Sequence, residues 1–488
     1  MDRFSKAAAI ADLNDNQELA SRALGRQLDI SSIAASSDAE LKRLTSVGFR
    51  AVGRYRWSNA IGAFEKALKR ADPAGRVALN NVIGVSYLMQ SRLDSALARC
   101  EMSLRLASKI EDSVGKAAAL GNIGLIYSTK GEPDKALKYH EKALAMHHEA
   151  GNRQGVVNQL SNIGLIYRDR DEPDKALEYL EEALAKAREI VNQRGVAANL
   201  CSIGIIYNDN GDPDRALSYL ESALEIHREI GYQRGVAADL GNIGAIYSDK
   251  GELENALKNL EEALAIAREI GHQQGVADHM GNIGLIHKDR GDPEKALKHH
   301  REALTIHREI GHRQGVANHL GNIGIIYSAK GEPGKALKYL ERALAIHREL
   351  GRRQGVANHL ANIGTAYGAK GEPCVALKYY EEALVIHREI GYQQGVANHL
   401  ANIGMTLMDM EKYEQAVPKL GESLAVTRAS GLADGLGQAL RGLVMCDDKL
   451  GRQRTKELLK EAGLDVNTVA NQFKPTDQIR REMGRART

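Results

Sequence analysis

Asparagine is the residue type whose spacing most plainly suggests chemistry in this sequence. Asn122, Asn162, Asn242, Asn282, Asn322, Asn362 and Asn402 recur in steps of forty, two positions before a glycine, and Ser202 takes the place once. A second row, Asn158, Asn318, Asn358 and Asn398, lies four residues earlier; Asp278 stands there once and Ala118, Ala198 and Ala238 elsewhere. A carboxamide carries both donors and an acceptor. It can pair with a peptide N–H and C=O together, holding an extended backbone without reading its sequence. The other reading is that these amides satisfy neighbouring backbone or one another. Between the rows sit Gly121, Ser161, Cys201, Gly241, Gly281 and Gly321. They are small enough to admit a ligand backbone, or to let adjacent helices pack tightly.

Histidine is the second candidate. His227, His307, His347 and His387 recur in an IHRE motif, and His279, His319, His359 and His399 form another column. His307 and His319 can approach each other where two copies of the repeat join. A metal centre needs three or four ligands in fixed geometry with supporting outer partners. No Cys or carboxylate has fitting spacing, and Ala187 and Ala267 replace His in two copies. The expectation is therefore interhelical or solvated histidine, with no metal and no cofactor. Cys100, Cys201, Cys374 and Cys446 are far apart, as expected of reduced thiols in a cytoplasmic protein. Carboxylate pairs such as Glu181–Glu182 and Glu381–Glu382 alternate with Lys and Arg, which reads as a solvated helix face. No nucleophile elbow, phosphate loop or dinucleotide fingerprint is present. The chain does not read as an enzyme.

The elements that position these residues follow from the repeat itself. From Gly121 to Leu400 the sequence repeats every forty residues without an insertion, and degenerate copies flank this region. About ten copies run from Leu41 to Asp434. Each reads as two helices. Val156, Leu160, Ile163 and Tyr167 recur at three- and four-residue steps, one apolar face of a first helix. Gly131 then supplies a left-handed stop, and Pro133 suits the first turn of a second helix, where its missing N–H goes unnoticed. In that helix the small Ala136 and Ala143, seven apart, permit close approach. One such hairpin cannot bury its apolar face; stacked neighbours can. The ends should therefore be atypical. Trp57, with Phe49 and Phe64, marks the first copy, and Leu436, Leu440, Leu443 and Val444 follow the last.

Composition agrees. Of 488 residues 48 are Gly, 9 Pro and only 1 Trp, with 43% hydrophobic and 5% aromatic. The glycine surplus falls on repeat slots rather than on flexible linkers. Lys+Arg 66 against Asp+Glu 63 leaves a net charge of +3, too small for a general polyanion binder. No apolar run is long enough to span a bilayer, and the acidic residues near the N-terminus exclude a signal peptide.

The pattern N-x-G-x-x-Y-x-x-x-G-x-x-x-x-A-L-x-x-x-x-x-A-L resembles the tetratricopeptide repeat family. The forty-residue period and the junction G-x-x-x-G, as at Gly311 to Gly315, are similar to repeats of Pins-type spindle-orientation adaptors, kinesin light chains and bacterial Rap-like regulators. The resemblance implies an all-α fold, a right-handed superhelical solenoid of about ten stacked helix-turn-helix repeats. It places the Asn slots on the concave face of the first helices. Members that clamp a carboxylate terminus use Lys or Arg there. This chain offers Gly, Ser, Ala or Asn, followed by apolar Leu125, Leu165, Ile205, Leu285 and Ile325. A partly apolar extended or helical segment is the better fit. The expected organisation is a partly helical leader at 1–40, the array at 41–434, capping helices at 435–465 and a basic flexible tail at 466–488. The expected role is a non-enzymatic scaffold binding a protein or peptide. The alternatives are a peptide-sensing regulator acting on an effector or nucleic acid, and a self-associating scaffold. Nucleic acid and membrane are not the expected partners.

Overall fold

The computed structural model describes residues 31–53, 56–430 and 436–464. The expected leader therefore lies mostly outside the described residues, and the basic tail wholly so. Among the described residues there are twenty-three α-helices and no strand. After the short α1 (Ser31–Ala35), ten helical hairpins follow in order. The first joins α2 (Ala39–Gly53) to α3 (Trp57–Leu68), and the tenth joins α20 (Gln393–Asp409) to α21 (Tyr413–Ala429). Two further helices follow, α22 (Leu436–Leu450) and α23 (Arg452–Glu461). The chain divides into two units, Met1–His319 and Leu320–Thr488. The forty-residue period runs through that boundary without an insertion.

Both turns of the repeat are closed by the same backbone device. At the hairpin turn Gly131 has φ 76°. Its N–H donates to Ser128 O at 3.0 Å and the Glu132 N–H to Tyr127 O at 3.0 Å. At the junction between copies, Gly231 has φ 64° and the Tyr232 N–H donates to His227 O at 2.9 Å. These are Schellman closures, which satisfy carbonyls that the helix end leaves free. The next helix starts at once. The Asp212 carboxylate accepts the Arg215 N–H at 3.1 Å, and the Asn152 carboxamide accepts the Gly155 N–H at 2.8 Å.

Packing explains the alanine columns and one glycine column. Ala136, Ala176, Ala216, Ala256 and Ala296 are fully buried, as are Ala143, Ala183, Ala223, Ala263 and Ala303. In several hairpins the first helix presents its glycine to the carbonyl of that first alanine, while Gly124 and Gly284 meet His140 and His300 instead. A β-carbon at Gly204 would lie 3.0 Å from Ala216 O, and one at Gly164 would lie 3.1 Å from Ala176 O. The two backbones thus approach as closely as a missing side chain permits. Around this crossing, Leu220, Leu240, Ile243 and Ile246 build one stretch of continuous core.

The first hairpin uses aromatic residues instead. Phe49 and Phe64 meet edge-to-face with centroids 5.3 Å apart, and Trp57 is buried beside them. At the other end Leu443 and Val444 are buried. Leu420 lies beside Gly442, and Leu459 beside Gly421, so α22 and α23 both cover α21.

Two glycines test this account with opposite signs. Gly204→Ala is expected to lose about 1–3 kcal/mol, because a carbonyl on a packed helix cannot step aside. Gly62, inside α3, has nothing within 4 Å of an added β-carbon. Gly62→Ala is expected to gain up to about 1 kcal/mol of helix propensity. Guanidinium unfolding of both variants, read by circular dichroism, checks the pair; stabilisation by Gly204→Ala would contradict the close-approach account.

Candidate functional site

The two asparagine rows lie on one face of the first helices, since residues four apart are neighbours on a helix. Asn158, Asn318, Asn358 and Asn398 are exposed, while Asn162, Asn242, Asn282, Asn322, Asn362 and Asn402 are half-buried. The apolar slot three residues further on, as at Leu165, Leu285 and Ile325, is also half-buried. The side chains differ in what they already hold. Asn122 is 7% exposed and donates to Asn81 Oδ1 at 3.3 Å. Asn242 donates to Cys201 Sγ at 3.3 Å. Asn158 accepts from Gln154 at 2.9 Å and Asn398 from Gln394 at 3.2 Å. The half-buried carboxamides of Asn162, Asn282, Asn322, Asn362 and Asn402 make no side-chain hydrogen bond. Each leaves a donor and an acceptor at the edge of the packed helices.

The small residues between the rows are filled from within. Gly121, Gly241, Gly281 and Gly321 are buried. A β-carbon at Gly121 would lie 2.9 Å from Gln159 Nε2, at Gly241 2.8 Å from His279 Cε1, and at Gly281 2.7 Å from His319 Cε1. In unit Leu320–Thr488 the same relation joins Gly321 to His359. The column is a socket for a side chain of the next copy. Of the two readings open from sequence, helix packing holds at these four glycines.

That side chain belongs to a column which sequence reading saw only in part. Gln159, Asn199, Asp239, His279, His319, His359 and His399 share one slot, and all are buried. The signal was present as a forty-residue period, but the change of residue type concealed it. Opposite stands the IHRE histidine of the preceding second helix, held against the junction glycine. His227 Nδ1 lies 2.7 Å from Asp239 Oδ2, and His399 Nε2 lies 2.9 Å from His387 Nδ1. His347 and His359 stack with centroids 4.9 Å apart. Around His319 the seam widens: His300 Nδ1 is 3.3 Å from its Nδ1, and the His307 ring centroid is 5.1 Å away. The histidines are therefore interhelical. Among the described residues no group of three or more His, Cys, Asp or Glu is placed to hold a metal ion.

Another feature went unread in the sequence. Asp169, Asp209, Asp249 and Asp289 close successive first helices and are exposed in one column. Burial, together with Asp169, Asp171 and Asp249 nearby, pushes the Asp209 carboxyl up. This end of the face favours cationic groups. None of the four cysteines is in a disulfide, and burial pushes the Cys201 thiol up, away from the reactive thiolate.

Burial disfavours the charged form of His319, His359 and His399. His359 and His399 are pushed down to about 4, and His319 to about 3. The unfolded chain takes up these protons near the ordinary 6.5. Their contribution to stability is thus complete above about pH 6.5 and declines as pH falls toward 4. At pH 5 each is expected to cost about 1–2 kcal/mol. Thermal melts at pH 7.5 and 5.0 should show a clear drop in midpoint. His359→Gln, which installs the residue found at Gln159, should reduce that drop. Equal midpoints at the two pH values would refute the neutral seam.

The tetratricopeptide repeat model matches residues 76–148, 157–229, 236–309 and 315–389. No curated protein matches the sequence. Among solved structures, a Rap protein complexed with Competence and Sporulation Factor is 16% identical, covering 71% of this chain and 99% of its own, with a TM-score of 0.52. The apo form of the quorum sensor NprR from B. thuringiensis is 17% identical, covering 72% and 99%, with a TM-score of 0.45. BtubC from P. vanneervenii is 22% identical, covering 46% and 91%, with a TM-score of 0.37. No described helix is long and apolar enough to cross a membrane. With the repeat model matched over more than half of its length and paired helices throughout the described residues, the chain belongs to the tetratricopeptide repeat family.

Proposed function

We propose that this protein is a non-enzymatic interaction scaffold that holds a peptide segment of a partner protein along the Asn-lined face of its first helices. One observation carries the reading. Five half-buried carboxamides, at Asn162, Asn282, Asn322, Asn362 and Asn402, have no hydrogen-bond partner and repeat with the period of the array. Within the unit Leu320–Thr488, backbone N–H and C=O groups of a bound segment can satisfy Asn322, Asn362 and Asn402 in turn. Asn158, Asn318, Asn358 and Asn398 flank them on the solvent side, and Asn122 and Asn242, already bonded to the preceding copy, shape the wall.

The neighbouring surface sets the chemistry of the segment. Half-buried Leu165, Ile205, Leu285 and Ile325 offer apolar contacts beside the amides. Arg168 pairs with Asp169 and Lys288 with Asp289, while Asp209 and Asp249, with no ion pair among the described residues, favour a basic residue at one side. The Rap protein, alike in fold, is solved in complex with Competence and Sporulation Factor. A partly apolar, basic segment is the ligand these features support.

Asn322→Ala with Asn362→Ala removes two adjacent clamps without touching the core. Affinity for a partner, first identified by capture and mass spectrometry and then measured by calorimetry, is expected to fall about thirtyfold or more. That corresponds to about 1–1.5 kcal/mol for each lost hydrogen-bonding amide. Helicity and melting temperature should stay unchanged. Undiminished affinity in the double variant would sink the clamp.

A further inference from the structure

The second helices also carry an ion pair that recurs in three copies and is missing from others. In three copies the arginine one position before the end of a second helix reaches the next second helix and pairs with a glutamate thirty-four residues on. Arg228 Nη2 meets Glu262 Oε1 at 2.9 Å, Arg348 meets Glu382 at 2.9 Å, and Arg388 pairs with Glu422. These pairs bridge the groove between neighbouring second helices. Among the described residues Arg268 and Arg308 make no such pair, Arg342 standing opposite Arg308; for Arg188 the partner position is Ser222, and Arg188 makes no ion pair with any described residue.

Three other columns depart at the same place. Position 191 is Gly in the six equivalents from Gly151 to Gly391, yet here it is Val191, with φ 54° and 76% exposed. A β-branched residue in the left-handed region is strained, and its apolar side chain stands in water. Ser218 occupies a column of Lys138, Glu178, Lys258, Lys298, Lys338 and Lys378. Glu225 occupies a column of Ala145, Ala185, Ala265, Thr305, Ala345 and Val385, and it too has no ionic partner. The four departures lie in four separate columns, but all four residues line one pocket of about 540 Å³ with Leu200 and Ile226 beneath. Two serines leave the groove open where longer side chains stand in other copies. The pocket is thereby left with one free cation, one free anion and an apolar floor.

We propose that this pocket is a second docking site, on the second-helix side of the repeats. Its occupant is a peptide segment of a partner protein in which an apolar side chain is flanked by an acidic and a basic residue. The acidic group pairs with Arg188, replacing the glutamate that three other copies supply. The basic group pairs with Glu225, one helical turn beyond Ser222. The apolar side chain covers Val191 and rests on Leu200 and Ile226. A volume of this size suits one or two side chains. The site is independent of the asparagine face, which belongs to the first helices.

The test is panning of phage-displayed random heptapeptides on the full chain, with Ser222→Glu panned in parallel. That variant installs the glutamate that pairs with arginine at Glu262, Glu382 and Glu422, so it should fold and give Arg188 an internal partner; an unchanged melt verifies this. The full chain should enrich peptides with an apolar residue between an acid and a base. A synthetic representative, measured by calorimetry, should bind at least tenfold more weakly to Ser222→Glu, Arg188→Gln and Glu225→Gln. It should bind undiminished to Asn322→Ala/Asn362→Ala. The proposal is overturned if no such peptide is enriched, or if Ser222→Glu and Arg188→Gln bind the representative as tightly as the parent. Loss of binding in the asparagine variant overturns it equally, by moving the peptide to the other face.

Discussion

Close approach of helix backbones is the constraint on which this structure depends. Gly204 faces the carbonyl of Ala216 with no room for a methyl group, and the same crossing recurs at Gly164 and Gly244. Fixed at that distance, each pair of helices becomes a rigid unit with a buried apolar seam. It also leaves nowhere for large side chains at the crossing, which is why alanine fills two columns and aromatics are scarce. Tyrosine survives at the hairpin rim, where Tyr167 stacks on Tyr179 with centroids 5.4 Å apart and Lys175 lies over the ring.

The contacts between copies are of a different kind. They are polar and variable: Gln159 against Gly121, the Asp239–His227 pair, and the His387–His399 pair all occupy one structural position. A buried polar group needs a partner, and here one copy supplies it to the next. Several ring nitrogens, including both of His359, are nonetheless buried without one. Buried polar groups left unpaired are costly, so this seam is weaker than the apolar crossing within each hairpin.

The two faces of the repeat divide the work. First helices present amides and small apolar groups in register, a surface suited to a backbone and tolerant of sequence. Second helices present charge, mostly cancelled by neighbours, as in Arg228–Glu262. Ion pairs this exposed add little stability. Their absence at Arg188 therefore costs the fold little, and leaves a charged group free for a partner.

The sequence alone determined the repeat, the helix pairs, the left-handed stop at Gly131 and the proline starts, because each depends on residues close along the chain. It also placed the asparagine rows on one helix face, since a spacing of four is a property of any α-helix. It did not decide what fills the socket at Gly281, because His319 belongs to the next copy. Nor did it reveal that Gln159, Asp239 and His399 are one buried position, or that Arg188 lacks a partner at Ser222. Those facts depend on which residues of successive copies meet in space. A forty-residue period shows that copies stack; only the tertiary structure sets the register in which their side chains touch.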